Sequence, residues 1–540
     1  MSDSMSNNVG DRQVLSKHDA LPDEVMAQPT DAPLPPLKGV ALVMLTIASA
    51  LSTFMEVLDT TIANVSVPTI AGSMGVSAHE GTSIISSYSL AAAIAVPLTG
   101  WLARRIGEVR LIITSVLLFT LFSVLCGLAP DYNTLVIFRL LQGFVSGPMV
   151  PLGQSIMMNS YPPEKRGAAM AFWAMTVIIA PVLGPILGGY ITENLHWAWI
   201  FYINVPVGLF CAYSLATLLK GRESAIRREP IDIVGLLLLA IGVGSLQYML
   251  EHANDLGWYE SHEVIILTII AIVGLVLLFI WDWYDKHPVI DLHLLRNRNF
   301  TIGTAMQTIG FTIFFGNVVV VPLWLQTVMG YDAFHSGLAV SPVALFALVF
   351  SPVVGMNMHK FDLRYLIATG FGLFVFGSWY SSLLTPDATM GQIMLTRFCF
   401  GLGMPFFFVP LGSLVMQGLN GEEITRAAGF SNFLRTLGGA IGTAVFVTLW
   451  SRRTTFHHAR LTESAVPGTP AYEQWMAQLG HAGMNSQQRF TLLDNLISQQ
   501  AATQATIDVL HLTAVLFGLM ILMVFFAKPA KGVVASGGGH

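Results

Sequence analysis

Glu56 and Asp59 stand three residues apart in a stretch that is otherwise mostly apolar. That spacing places both side chains on one face of a helix. Two carboxylates so close and partly desolvated cannot both ionise easily, so the pair can load a proton on one side of a barrier and release it on the other. The bland reading is a pair of acids that hydrate or cap a helix end. Arg139, Arg397 and Arg435 are likewise embedded in apolar sequence. Each ionisable group at membrane depth costs roughly 2.5–3.5 kcal/mol, so such groups usually have a task. Arg139 can pair with the two acids until a proton or a cationic substrate breaks the pair; the alternative is an interfacial arginine snorkelling outward. Arg397 reads as structural. Arg435 reads as facing the interior, with a partner that sequence does not name.

Other chemistries lack their residues. There is no G-x-x-x-x-G-K-[ST] to cradle phosphates and no H-E-x-x-H or Cys/His metal spacing. No enzyme activity, metal or cofactor is expected. Cys126, Cys211 and Cys399 lie far apart in apolar runs and read as packing residues. The pair His457 and His458 reads as solvated surface.

The elements that position these groups must be membrane helices. Of 540 residues, 54% are hydrophobic and 11% charged, and the mean hydropathy is +0.64. A chain so poor in charge cannot cover a water-facing surface. A net charge of −5 gives no reason to expect nucleic acid. At about 20 apolar residues per crossing, candidate spans fall near 40–65, 81–103, 110–128, 134–158, 166–191, 199–219, 232–250 and 263–283. Six more follow near 300–327, 335–358, 365–384, 391–416, 427–450 and 506–527, giving fourteen.

Charge fixes the sidedness. Loops after spans 1, 3, 5, 7, 9 and 11 carry no Lys or Arg, whereas the other short loops and the tails hold 20 of the 27 basic residues, including Arg12, Lys17, Arg227, Arg228, Lys286 and Lys531. By the positive-inside rule both termini are cytoplasmic. Residues 1–38 and 528–540 are expected as cytoplasmic tails, the first disordered. Residues 451–505 form a long outer loop with four arginines and short amphipathic stretches, expected to be a small helical ornament. A docking surface and a tolerated insertion are the two readings of it.

The chain is duplicated. Arg139 to Gly143, followed by Pro148 and Pro151, matches Arg397 to Gly401, followed by Pro405 and Pro410, at an offset of 258 residues. Pro97, Gly100 and Arg110 match Pro352, Gly355 and Arg364, and Arg166 matches Arg426, at nearly the same offset. Spans 1–6 (39–220) and 9–14 (300–527, with the 451–505 loop) are therefore two six-helix bundles, with spans 7 and 8 (231–283) inserted between them. Many secondary transporters are built this way, with the substrate site between the repeats. Pro181, Gly184, Pro185 and Gly188 in span 5 would give a bent, closely packed helix. Asn64, Gln142, Phe311, Phe315, Asn317, Trp324 and Arg435 are candidates for the cavity lining.

The segment from Leu58 through Asp59 and Asn64 to Pro68 resembles the span-1 signature of fourteen-helix drug/proton antiporters of the major facilitator superfamily. The Arg139 to Pro151 segment, the span-5 Gly/Pro run and His196 to Gly208 are similar to further motifs of that family, and nearly the whole chain resembles its EmrB-like branch. The resemblance implies export of hydrophobic drugs and uncouplers across the bacterial inner membrane, with H+ as coupling ion. It also implies an EmrA-like periplasmic adaptor and a TolC-like outer-membrane channel. By carry-over, Asp59 and Arg139 are the coupling residues, joined by Glu56 from the reading above. Gly184, Pro185 and Gly188 are carried over with Gly100, Arg105, Gly107 and Arg110 as the conformational motifs. Arg104 stands where the superfamily usually has Asp, so the usual charge latch is altered, with Glu108 a partial substitute. Two other readings remain: an importer or symporter of a small metabolite on the same fold, and a membrane scaffold that transports nothing.

Overall fold

The computed structural model describes residues 37–529, apart from short stretches at 163–164, 227–231, 254–255, 286–287, 420, 466–467 and 482–483. The two expected tails lie almost wholly outside these residues, as do Arg12, Lys17, Arg227, Arg228, Lys286 and Lys531.

Twelve helices among the described residues are long and apolar enough to cross a bilayer. A thirteenth, span 2, comes in two pieces, Ser83–Ala95 and Thr99–Ile106, bent by 62°. Pro97 sits at the break, where its ring and missing N–H interrupt the helix. Span 11, Leu363–Ser381, is a 19-residue helix made less apolar by Arg364 and by the Trp379, Tyr380 and Ser381 end. The all-α, fourteen-helix architecture is thus the observed one. Side chains set several helix starts: Asp131 accepts from the Thr134 N–H and Asp232 from that of Gly235, while Thr389 with Gln392 and Asn485 with Gln488 form capping boxes.

Packing follows the duplication. Span 1 (Gly39–Met74) lies along span 5 (Arg166–Asn194), and span 9 (Arg298–Thr327) along span 13 (Gly421–Ser464). Glycines allow both approaches: a Cβ on Gly188 would sit 2.8 Å from the Ile62 carbonyl oxygen, and one on Gly438 2.5 Å from that of Thr308. Spans 7 (Ile233–His252) and 8 (His262–Tyr284) pair through Gly242 and Gly274, and span 7 leans on span 2. The halves meet where span 5 runs beside span 10 (Ala333–Val340 and Pro342–Asn357) and where span 13 packs on the second piece of span 4 (Tyr132–Ser146 and Met149–Ser160).

The 451–505 stretch is helical as expected, but most of it is not a separate ornament. It is mostly the continuation of two spans: span 13 runs for 44 residues to Ser464, and span 14 runs for 39 residues, Ser486–Val524. At 1.5 Å per residue the first is roughly 66 Å long, about twice the hydrocarbon thickness. A short helix, Pro470–His481, lies between them in the chain. Trp450 Nε1 donates to Thr506 Oγ1 at 2.9 Å, and Asp508 takes Arg453 Nη2 at 2.5 Å and lies 2.8 Å from His457 Nε2. His457 is therefore a half-buried link between the two helices rather than free surface.

Candidate coupling site and substrate cavity

Span 1 carries Asp59 into the middle of the N-terminal half, where spans 2, 3 (Glu108–Gly127), 4 and 6 (Trp199–Tyr202 and Asn204–Leu218) converge. Asp59 and Arg139 are both fully buried, with Arg139 Nη1 2.5 Å from Asp59 Oδ2. Asp59 Oδ1 accepts from Asn204 Nδ2 at 2.8 Å and from Gln142 Nε2 at 3.4 Å. Ser123 Oγ accepts from the same Asn204 amide at 3.0 Å and donates to the Phe201 carbonyl at 2.9 Å. Arg139 also donates to Gln142 Oε1 at 2.9 Å and, through Nε, to the Ile84 carbonyl at 3.2 Å. Its guanidinium lies 4.2 Å from the centre of the Tyr88 ring. Sequence named Asp59, Arg139 and Gln142. It missed the roles of Asn204 and Ser123, because each is a single polar residue in an apolar helix whose partner is distant in the chain.

Glu56, one turn from Asp59, is half-buried and interacts electrostatically with Arg435 of span 13. Arg435 is buried between two aromatic rings, 5.3 Å from Trp173 and 5.2 Å from Phe311. An acid of one half thus lies within electrostatic reach of a cation of the other.

Between spans 5, 9, 10 and 12 (Met390–Gly401 and Met404–Val415) lies a narrow, partly open cleft. Phe311, Phe314, Phe315, Phe400, Met404 and Phe408 give it aromatic and thioether walls. Its polar lining among the described residues is Asn317 and Arg397. Three expected lining residues lie elsewhere. Trp324 borders a smaller cavity that shares Arg397, and its Nε1 donates to Thr503 at 3.1 Å. Gln142 belongs to the Asp59 cluster, and Asn64 is exposed on span 1. Spacing along a helix gave these residues no third dimension.

The conformational-motif residues fall at helix crossings. Pro181 lines the cleft, Gly184 and Gly188 lie against Thr61 and Ile62 of span 1, and Pro185 faces Gly337 of span 10. At the arginine-rich end, Gly107 turns with φ of 99°. Glu223, from the loop after span 6, accepts from the N–H groups of Val109 and Arg110 at 2.9 and 3.0 Å and pairs with the Arg110 side chain at 3.8 Å. Arg105 lies over the Trp101 ring at 5.6 Å. The two halves interlock here. Gly100 abuts Arg426, whose Nη1 pairs with Asp291. Thr425 donates to Glu108, with Ser155 Oγ 2.6 Å from the Thr425 hydroxyl. Asn432 donates to Gln154 at 2.6 Å.

Two duplicated bundles that interlock at one end, with an ion pair buried inside one of them, describe a fold that comparison places. The model of the Major Facilitator Superfamily matches residues 49–443. The chain belongs to that superfamily. Within it, the chain is 44% identical over 505 residues to "Multidrug export protein EmrB" of Escherichia coli K12, covering 93% of this chain and 99% of that protein. It is 43% identical over 506 residues to "Fatty acid resistance protein FarB" of Neisseria gonorrhoeae, covering 94% and 99%. Among solved structures, the human organic anion transporter MFSD10 shares the fold, with a TM-score of 0.56 at 12% identity over 90% of this chain and all of that one. The protein is a multi-pass membrane protein of a transporter superfamily.

Proposed function

We propose that this chain exports hydrophobic, drug-like compounds across the bacterial inner membrane in exchange for protons, both termini being cytoplasmic. The buried Asp59–Arg139 pair carries this reading. A proton on Asp59 removes the charge that holds Arg139 Nη1, while the Ile84 carbonyl, Gln142 and the Tyr88 ring still support the guanidinium. Spans 1 and 4 then lose their strongest mutual tie, and span 1 also bears the Gly184–Gly188 seam of span 5. Loading and unloading one proton thereby biases two packings of the halves, which is the bistable element that alternating access requires. Glu56, within electrostatic reach of Arg435, which lies against Phe311 of the cleft wall, couples cavity occupancy to the same helix.

The names of the similar EmrB and FarB proteins support export of several apolar compounds, and the aromatic and methionine walls suit loose recognition. The long helices of spans 13 and 14 beyond the bundle are the surface on which an EmrA-like adaptor, leading to a TolC-like channel, would sit. Proteoliposomes loaded with a lipophilic, uncharged dye test the core of the proposal. Dye should leave the protein's cytoplasmic side when a proton gradient is imposed, and Asp59→Asn should stop it. Gradient-driven uptake in the opposite direction would instead make the protein an importer.

A further inference from the structure

The duplication preserves the coupling cluster in the second half with one change. At the same offset of 258 residues, Arg139 corresponds to Arg397, Asp59 to Asn317 and Ser123 to Ser381. The contacts repeat as well. Arg397 Nη1 donates to Asn317 Oδ1 at 3.0 Å, and Nη2 donates to the Ser381 hydroxyl. Phe400, the counterpart of Gln142, has its ring centre 5.6 Å from the guanidinium. A neutral amide has replaced the carboxylate. Arg397 is 2% exposed, and no acid lies within ion-pair reach of it among the described residues. A buried cation left so is costly unless something neutralises it.

Two donors of this cluster are unused. Arg397 Nε and Asn317 Nδ2 are buried and have no hydrogen-bond partner among the described residues. Because Asn317 Oδ1 is turned to Arg397, its amide nitrogen points away from that bond. Both residues border the aromatic cleft, and they are its polar lining. An apolar chamber with convergent donors and one positive charge matches a ligand with an apolar body and one acidic group.

We propose that the cleft binds amphipathic organic anions, carboxylates or phenolates, through Arg397 and Asn317. Their apolar bodies pack on Phe311, Phe314, Phe315, Met404 and Phe408. In the first half the protein supplies the carboxylate opposite its arginine; in the second half the substrate brings it. This rests on the export reading above and names its substrate class.

The test uses the full chain in phosphatidylcholine nanodiscs and two fluorescent probes, 1-pyrenebutyrate and its methyl ester. Wild type should bind the acid about tenfold or more tighter than the ester, as a charge-assisted contact in a dry site gives. Asn317→Asp restores the internal ion pair of the first half. It should raise thermal stability, weaken acid binding at least about tenfold and leave ester binding within about twofold. Arg397→Gln should remove the acid preference, and Arg397→Lys should keep part of it. Acid and ester binding falling together, acid binding unchanged in Asn317→Asp, or a wild type that binds both equally would overturn the proposal. Dye export by the same purified proteins reconstituted in proteoliposomes separates the two readings. Export without acid preference sinks the anion site alone, and acid preference without export sinks the export reading alone.

Discussion

Thr425 of span 13 donates its hydroxyl to the Glu108 carboxylate of span 3, joining the two halves at their arginine-rich end. The contact works beside the Arg426–Asp291 pair. Glu108 was named from sequence as a partial substitute for the missing acid, but its partner is 317 residues away and carries no charge.

If these contacts hold that end shut, weakening them should open it. Asp291→Asn combined with Thr425→Val should raise the thiol-labelling rate of a cysteine introduced at the buried position Ala428 by several fold. Unchanged labelling would mean that close backbone packing closes the end without polar help: Gly100 against Arg426, and Gly167 of span 5 against Gly355 of span 10, where a Cβ on Gly167 would run into the Gly355 carbonyl oxygen.

The Asp59–Arg139 pair should show the asymmetry of a buried ion pair. Arg139→Ala leaves a buried carboxylate unpaired and should cost about 3–5 kcal/mol, read as a fall in melting temperature or in folded yield. The double variant Asp59→Asn, Arg139→Gln removes both charges and should be markedly more stable than Arg139→Ala. Equal losses in the two variants would show that the ring and carbonyl contacts of Arg139, not its charge partner, hold spans 1 and 4.

The span-5 seam predicts a separation of binding from transport. Gly188→Val puts branched carbon against the Ile62 carbonyl, where even a Cβ would lie at 2.8 Å. Overpacking of this kind costs about 1–3 kcal/mol and should fall on whichever state brings spans 1 and 5 together. Transport rate should drop at least tenfold while probe binding in the cleft, lined by the middle of the helix from Val177 to Val182, changes less than threefold. Equal loss of both would make Gly188 a plain folding residue.

Much of this was legible in sequence. Composition and arginine spacing gave fourteen helices and the duplication, because apolar length and charge are local properties. Asp59 and Arg139 stood out because an ionisable group in apolar sequence is costly wherever it packs. Asn204, Ser123 and Glu223 did not, since their meaning lies in partners brought close by helix crossings. Trp324 and Asn64 were assigned to the cavity by helix and residue type; Trp324 borders the smaller cavity that shares Arg397, and Asn64 is exposed on span 1. The 451–505 stretch looked like a loop because its surface is polar. Yet Gln-, Thr- and Ala-rich sequence continues a helix as readily as an apolar one once it has been started.

The account turns on whether Asp59 is the group at which proton and substrate compete. Purified wild type and Asp59→Asn, each in weakly buffered detergent solution, can be mixed with an exported compound while proton release is followed with a pH dye. Wild type should release protons in proportion to bound compound, and Asp59→Asn should release none while still binding it. Equal release from both proteins would contradict the account and move the proton to Glu56 or to another acid.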